Sequence, residues 1–179
     1  MTSTHRRPTT RDRAHSVWGT PPRCVACTGV IVDSSSLICL ARAGLLDLLN
    51  RLPERPRILD VVWDEVVRAG RAGQHADAFA VQAVLGRESR QVSPVAPSVD
   101  QAVLEAALAD GALLANDLTL GRRARNLGAR WLRTADLVLL LYRAERCSRD
   151  EACHGIESLW SAGRISESLR HDYLEAVGE

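Results

Sequence analysis

The stretch Gly29-Val-Ile-Val-Asp33-Ser-Ser-Ser-Leu-Ile38 joins a short apolar run, one acidic residue and three serines. The apolar run predicts a buried strand that ends at Asp33. Each of the serines is a good helix cap, and Leu37, Leu40 and Ala41 follow at helical spacing. The stretch therefore predicts a strand, a sharp turn and a helix, with a carboxylate at the end of the strand.

Units of the same kind continue along the chain. We predict four further strands, at Arg57–Val61, Gln91–Val95, Ala112–Ala115 and Arg130–Leu132. Further helices are predicted at Asp64–Ala72, Ala76–Leu85, Asp100–Ala109, after Asp117 to about Leu127, and at Asp136–Ala144, Arg149–Ser161 and Glu167–Val177. Strands that alternate with helices predict an α/β fold, with a central parallel sheet and helices on both faces.

Four acidic residues occupy comparable places in this pattern, namely Asp33, Glu65, Asp100 and Asp117. Two follow predicted strands and two lie in the first turn of a predicted helix, so all four are expected beyond the carboxyl edge of the sheet, where ligands bind. Carboxylates gathered at one place repel one another unless a divalent cation lies between them. The pattern indicates metal-assisted chemistry on phosphate esters. Taken singly, each acid also fits a helix cap or a surface residue.

Length and composition limit the alternatives. A chain of 179 residues is expected to form one domain. All 23 basic residues are arginine, which excludes chemistry that needs a lysine, such as P-loop phosphate binding or a Schiff base. The chain has no apolar run of membrane-spanning length and no secretory signal at its start, so we expect a cytoplasmic protein.

The charge is uneven along the chain. Residues 1–28 hold five arginines against one aspartate, and their polar composition predicts a disordered basic arm. The folded domain is expected to span residues 29–179.

The cysteines and histidines suggest rival sites. Cys24 and Cys27 form a C-x-x-C pair, compatible with half a zinc site or a redox pair, but the spacing of Cys147 and Cys153 is poor for zinc. Cys39 is expected in the core. A haloacid-dehalogenase-type site needs a second aspartate where this chain has Ser35, and none of the five histidines follows a strand.

Four segments together resemble the acidic motifs of the PIN-domain family. The first strand ends in Asp-x-Ser, a glutamate lies on the helix after the second strand, an aspartate opens a later helix, and a strand ends in Asn-Asp. The corresponding segments are Val30–Ile38, Val61–Val66, Asp100–Ala107 and Leu113–Leu120. Ala115 stands where the family usually carries a hydroxyl residue.

The resemblance covers residues 29–143 and implies a three-layer PIN-like sandwich with a Mg²⁺- or Mn²⁺-dependent ribonuclease activity. Asp33, Glu65, Asp100 and Asp117 would be the catalytic, metal-holding residues, with Ser35 orienting a water or ligand and Asn116 supporting the turn. Residues 152–179 are similar to the helical extension of some bacterial PIN proteins, commonly VapC-like toxins. RNA, a small antitoxin and a second copy of the chain are the implied partners.

Basic residues cluster after the fourth motif. Arg122, Arg123 and Arg125 lie on the predicted helix there and are candidates for binding RNA phosphates, although a solvated helix face fits the same pattern. A scaffold that binds RNA or a protein without cleaving it stays open as the alternative function.

Overall fold

A five-stranded sheet with all strands parallel forms the centre of the fold. The computed structural model describes residues 29–53, 56–85 and 90–178. The strands are β1 (Val30–Val32), β2 (Pro56–Leu59), β3 (Arg90–Gln91), β4 (Ala112–Leu114) and β5 (Arg130–Leu132). Their order across the sheet is β3-β2-β1-β4-β5. The predicted α/β class is confirmed.

Helices follow the strands. They are α1 (Ser34–Arg42), α2 (Asp60–Trp63, continued by the π-helical segment Asp64–Ala69 and the turn Gly70–Ala72), α3 (Ala76–Val84), α4 (Val99–Asp110), α5 (Leu118–Asn126), α6 (Thr134–Arg143), α7 (Arg149–Ser161) and α8 (Glu167–Gly178). A 3₁₀ helix spans Leu46–Arg51.

The helices enclose the sheet as a three-layer sandwich. Helices α4 and α5 pack on β1, β4 and β5 and on each other, while α1, α2, α3 and α6 form a second group, which α7 and α8 extend. The central strands β1, β2 and β4 are largely apolar because both faces are covered: Ile31, Ile58, Leu113 and Leu114 are fully buried. Gly121 allows α5 to approach β5 closely, since a Cβ there would lie 2.0 Å from Trp131.

The end of β2 differs from its prediction. The strand was expected to run to Val61 because valine favours strands, but it ends at Leu59 and α2 begins at Asp60. The Asp60 carboxylate explains the turn: its Oδ1 accepts hydrogen bonds from the backbone N–H groups of Val61 at 2.8 Å and Ser93 at 3.1 Å. Likewise, β3 is only two residues long, so most of the predicted strand Gln91–Val95 is irregular.

The C-terminal helices are joined firmly to the sandwich. Tyr173 of α8 is buried and donates a hydrogen bond from its hydroxyl to Asp136 of α6. Helix α7 begins with a capping box, in which Ser148 and Glu151 each bind the other's backbone N–H. Within the described ranges, no helix is both long and apolar enough to cross a membrane. The predicted arm, residues 1–28, lies outside those ranges, as do Cys24 and Cys27.

Candidate functional site

Two neighbouring strands bring their acidic residues to the same edge of the sheet. Strand β1 is followed by Asp33, and β4 is followed by Asn116 and Asp117 after one buried alanine. The pairing continues past the strands, because the backbone N–H of Asp33 donates to the carbonyl of Leu114 at 3.0 Å. The carboxyl edge of the sheet therefore presents the first and fourth predicted motifs side by side, as parallel strands require.

Asp33 is a buried carboxylate, with only 5% of the residue exposed. Its Oδ2 accepts hydrogen bonds from the Ser35 hydroxyl at 2.6 Å and the Ser35 backbone N–H at 3.1 Å. Burial raises the pKa of Asp33, the hydrogen bonds from Ser35 and Ser34 oppose this, and the negative charge of Asp100 raises the pKa further. The net effect is a raised pKa, so the anion is held where its charge is poorly compensated.

Ser35 joins the two strand ends. While its hydroxyl donates to Asp33, its oxygen accepts hydrogen bonds from the backbone N–H groups of Asn116 at 3.1 Å and Asp117 at 3.3 Å. The predicted role for Ser35 was to orient a water or ligand. In the structure its hydrogen-bonding capacity is directed at the first and fourth motifs, whose relative position it fixes.

Asp117 caps α5. Its Oδ1 accepts a hydrogen bond from the backbone N–H of Leu120 at 2.7 Å, and the residue is exposed. Asp33 likewise caps α1 through Ser35. The helix-cap alternative is thus realised at both positions. It does not compete with ligand binding, because a carboxylate has two oxygens and about four lone pairs.

Glu65 reaches the same edge from α2. The hydroxyl of Ser34 donates to Glu65 Oε2 at 2.6 Å, which places this carboxylate beside the residue that follows Asp33. Its neighbour Asp64 instead pairs with Arg68 at 3.2 Å. The predicted location of Glu65 in the first turn is wrong: α2 begins at Asp60, so Glu65 lies in the π-helical segment that follows the first turn.

Asp100 lies in the first turn of α4, after the capping residue Ser98. The carboxylate is exposed, and it is near enough to Asp33 for its charge to raise the pKa of that residue. The segment of Asp33 is thus connected to the segments of the other three acids. Ser34 bonds to Glu65, Ser35 bonds to the backbone N–H of Asp117, and the charge of Asp100 acts on Asp33.

The donor chemistry at this edge fits a hard divalent cation. The available groups are carboxylate and hydroxyl oxygens, which Mg²⁺ and Mn²⁺ prefer, and the poorly compensated charge of Asp33 favours a cation. The carboxylates are farther apart than the ligands of a bound metal ion: in the described ranges, no three His, Cys, Asp or Glu side chains are gathered closely enough to hold one.

Asn116 and Thr134 connect the end of β4 to the end of β5 by hydrogen bonds. The Asn116 amide donates to the Thr134 hydroxyl at 3.1 Å, and its Oδ1 accepts from the Thr134 backbone N–H at 3.1 Å. Asn116 was predicted to support the turn, but its partner was missed. The available signal was the place of Thr134 after β5, the strand next to β4. Cys39, buried as predicted, lies 3.4 Å from the Thr134 hydroxyl.

Ala115 directly follows β4, is fully buried and forms hydrogen bonds with β5. Its N–H donates to Leu132 at 2.9 Å and its carbonyl accepts from Trp131 Nε1 at 2.8 Å. Its methyl group lies in the core. Support for Asp117 comes from Ser35 and the first turn of α5 instead of from position 115.

The three predicted RNA-binding arginines lie on α5 and are exposed. Arg123 donates to the side chain of Gln101 at 2.9 Å, next to Asp100, whereas the Arg125 guanidinium lies 5.8 Å from the centre of the Trp131 ring. Arg122 and Arg123 line a shallow surface groove. Arg123 thus contacts the helix turn that carries Asp100.

Comparison with known families gives a match over most of the chain. Residues 29–179 match a family described as a PIN domain. The chain belongs to the PIN-domain family. PIN domains are generally nucleases that use divalent metal ions, and the five-stranded parallel sheet flanked by helices agrees with a PIN-like fold. Neither the curated proteins nor the solved structures give a significant match.

Proposed function

We propose that this PIN-domain protein is a Mg²⁺- or Mn²⁺-dependent endoribonuclease that cleaves RNA phosphodiesters. The observation that supports the proposal is the poorly compensated carboxylate of Asp33, buried at the carboxyl edge of the sheet. The neighbouring serines contact the segments of Glu65 and Asp117, and the charge of Asp100 acts on Asp33. A buried carboxylate whose charge is only partly compensated is costly for stability and typical of a functional site.

The residues of the edge divide into two kinds. Asp33, Glu65, Asp100 and Asp117 would hold one or two divalent ions, which lower the pKa of a water molecule and stabilise negative charge on a phosphate. Ser34 and Ser35 position Glu65 and Asp33 by 2.6 Å hydrogen bonds, and Asn116 fixes the strand end before Asp117 through Thr134. Positioning of this kind is what metal sites require from the groups around their ligands.

The biological role follows from the resemblance to bacterial PIN proteins. On that basis we propose a toxin of a toxin–antitoxin pair, acting on RNA in the cytoplasm as a homodimer and neutralised by a small antitoxin. Expression in a bacterial host should then slow growth, and coexpression of the antitoxin should restore it. Normal growth with abundant folded protein would contradict this role while leaving the nuclease proposal intact.

A PIN scaffold that binds RNA or a protein without cleavage is the second candidate. One observation favours it: among the described residues, no three acidic or other metal-binding side chains are gathered. A scaffold needs neither a cation nor a free carboxylate.

Incubation of the purified protein with labelled single-stranded RNA separates the candidates. The nuclease proposal predicts cleavage with Mn²⁺ or Mg²⁺, none with excess EDTA, and a rise in melting temperature when Mn²⁺ is added. Binding of intact RNA without cleavage under every metal condition would favour the scaffold.

A further inference from the structure

A cleft of about 430 Å³ lies between the start of α6 and the turn that joins α7 to α8. Its volume falls in the range of roughly 300–1,000 Å³ that is usual for ligand-binding clefts. The turn contributes one wall and the residues around the α6 N-terminus contribute the other. Its lining includes Asn116, Leu118, Arg133, Arg164, Ile165 and Leu169.

The cleft is continuous with the acidic edge. Asn116 lines it and directly precedes Asp117. Thr134, which also lines it, is bound to the Asn116 amide at 3.1 Å. Leu118, the first residue of α5 after the Asp117 cap, completes this side and is about half exposed. A molecule that occupies the cleft would therefore lie next to the fourth acidic motif.

The charge of the cleft is opposite to that of the edge. Arg133 and Arg164 line it, and the described residues that form its walls include no aspartate or glutamate. Arg164 is exposed and lacks a carboxylate within ion-pairing distance in the described part of the chain. A guanidinium that is not neutralised by the protein is available to a phosphate.

Arg133 is held in place by Asp136 of α6. Its backbone N–H donates to Asp136 Oδ2 at 2.8 Å, and its Nε lies 3.6 Å from the same oxygen. The other oxygen of Asp136 accepts the hydroxyl of Tyr173. Helix α8 thus fixes the wall that carries Arg133, and the C-terminal helices are part of the cleft.

The remaining lining is largely apolar. Leu118, Ile165 and Leu169 present aliphatic side chains beside the two arginines. A nucleotide has both kinds of surface, an anionic phosphate and a flat base that packs on apolar or guanidinium groups. An inorganic anion would use only the arginines.

We propose that this cleft binds the nucleotide next to the cleaved phosphodiester of a single-stranded RNA, with Arg133 and Arg164 on its phosphate and the aliphatic side chains on its base. The proposal rests on the proposed ribonuclease function and extends it to residues of the C-terminal helices.

The test is RNA binding by Arg164→Gln, measured by fluorescence anisotropy with a labelled single-stranded 12-mer in EDTA and checked for intact RNA on a gel. Arg149→Gln is the matched control, because Arg149 is exposed and lies at the opposite end of α7, ~20 Å away along the helix. We expect Arg164→Gln to weaken binding about fivefold to tenfold and to lower the salt dependence by about one phosphate contact. Arg149→Gln should stay within about twofold of wild type, as one distant charge contributes only a screened, long-range attraction.

The outcomes distinguish the cleft from the nuclease. Cleavage by the wild-type protein together with equal RNA affinity for wild type and Arg164→Gln would overturn the cleft and leave the nuclease standing. Equal losses in the two variants would overturn the cleft as well, since only general charge would then matter. A wild-type protein that neither binds nor cleaves RNA would overturn both proposals. Circular dichroism spectra of both variants would check that each keeps the wild-type fold.

Discussion

Ser35 donates its hydroxyl proton to Asp33 Oδ2 over 2.6 Å and thereby fixes the buried carboxylate at the end of β1. The Ser35 hydroxyl oxygen itself accepts hydrogen bonds from two backbone N–H groups just after β4, those of Asn116 and Asp117. One side chain thus satisfies polar groups of both central strands at the candidate site. The Asp33 carboxylate and the Asn116 N–H are partly buried, so they have few other partners when the hydroxyl is removed.

Ser35→Ala should lower the free energy of unfolding by about 1–3 kcal/mol, since the N–H groups of Asn116 and Asp117 lose this acceptor and Asp33 keeps only the backbone N–H of residue 35 of its two Ser35 donors. Ser36→Ala is the matched control: the Ser36 hydroxyl is fully buried and has no hydrogen-bond partner among the described residues, so its removal should be neutral or stabilising. Urea unfolding of the two variants measures the difference. Equal effects would show that Ser35 contributes only as a small buried side chain.

The attachment of α8 gives a second prediction. Tyr173→Phe removes the hydroxyl that donates to buried Asp136, at a cost of about 1–3 kcal/mol in the free energy of unfolding. Tyr142→Phe is the control, because Tyr142 is half-buried and makes no hydrogen bond to the described residues through its hydroxyl. Thermal unfolding should show a lower melting temperature for the first variant only. Faster amide hydrogen exchange in α8 would locate the loss, and unchanged exchange there would contradict the assigned attachment.

The start of α7 predicts a dependence on pH. Hydrogen bonds from the Ser148 backbone, from Arg51 and from the Ser148 hydroxyl lower the pKa of Glu151 from 4.5 to about 2. A carboxylate whose folded pKa is lowered stabilises the fold above its unfolded pKa, and the benefit is lost as the pH falls through the folded pKa.

Glu151→Gln should therefore melt at a lower temperature than wild type at pH 7. The difference should shrink as the pH falls from about 4.5 toward 2, where the wild-type carboxylate becomes protonated. Glu175→Gln, an exposed acid on α8, serves as the control. Melting curves across this pH range measure the effect, and a gap for Glu151→Gln that does not change with pH would contradict the capping role of the charge.

The sequence was informative where local patterns determine structure. The apolar runs before Asp33 and Asp117 predicted buried strands, and parallel topology then placed both acids at one edge. The place of Glu65 in its helix was harder to predict, because Val61 and Val62 favour a strand. The helix begins earlier, at Asp60, whose carboxylate binds the backbone N–H of Ser93, and Ser93 is distant in sequence. The Thr134 link and the Arg164 cleft depend on which side chains meet across elements, and no local pattern in the sequence specifies those contacts.

The most direct test of the metal-dependent nuclease is the rate at which Asp33→Asn cleaves single-stranded RNA at saturating Mn²⁺. Asparagine caps a helix about as well as aspartate, so the fold should be kept. Removal of a buried negative charge with a raised pKa should leave metal-free stability unchanged or slightly higher. Asp47→Asn is the control, since Asp47 is an exposed carboxylate in the 3₁₀ helix.

We expect Asp33→Asn to lose at least about 100-fold in cleavage rate, because disturbing even the groups around metal ligands costs roughly 10–100-fold. Asp47→Asn should cleave at the wild-type rate. Folded Asp33→Asn protein that cleaves RNA as fast as wild type would contradict the account, because Asp33 would then be a helix cap and nothing more.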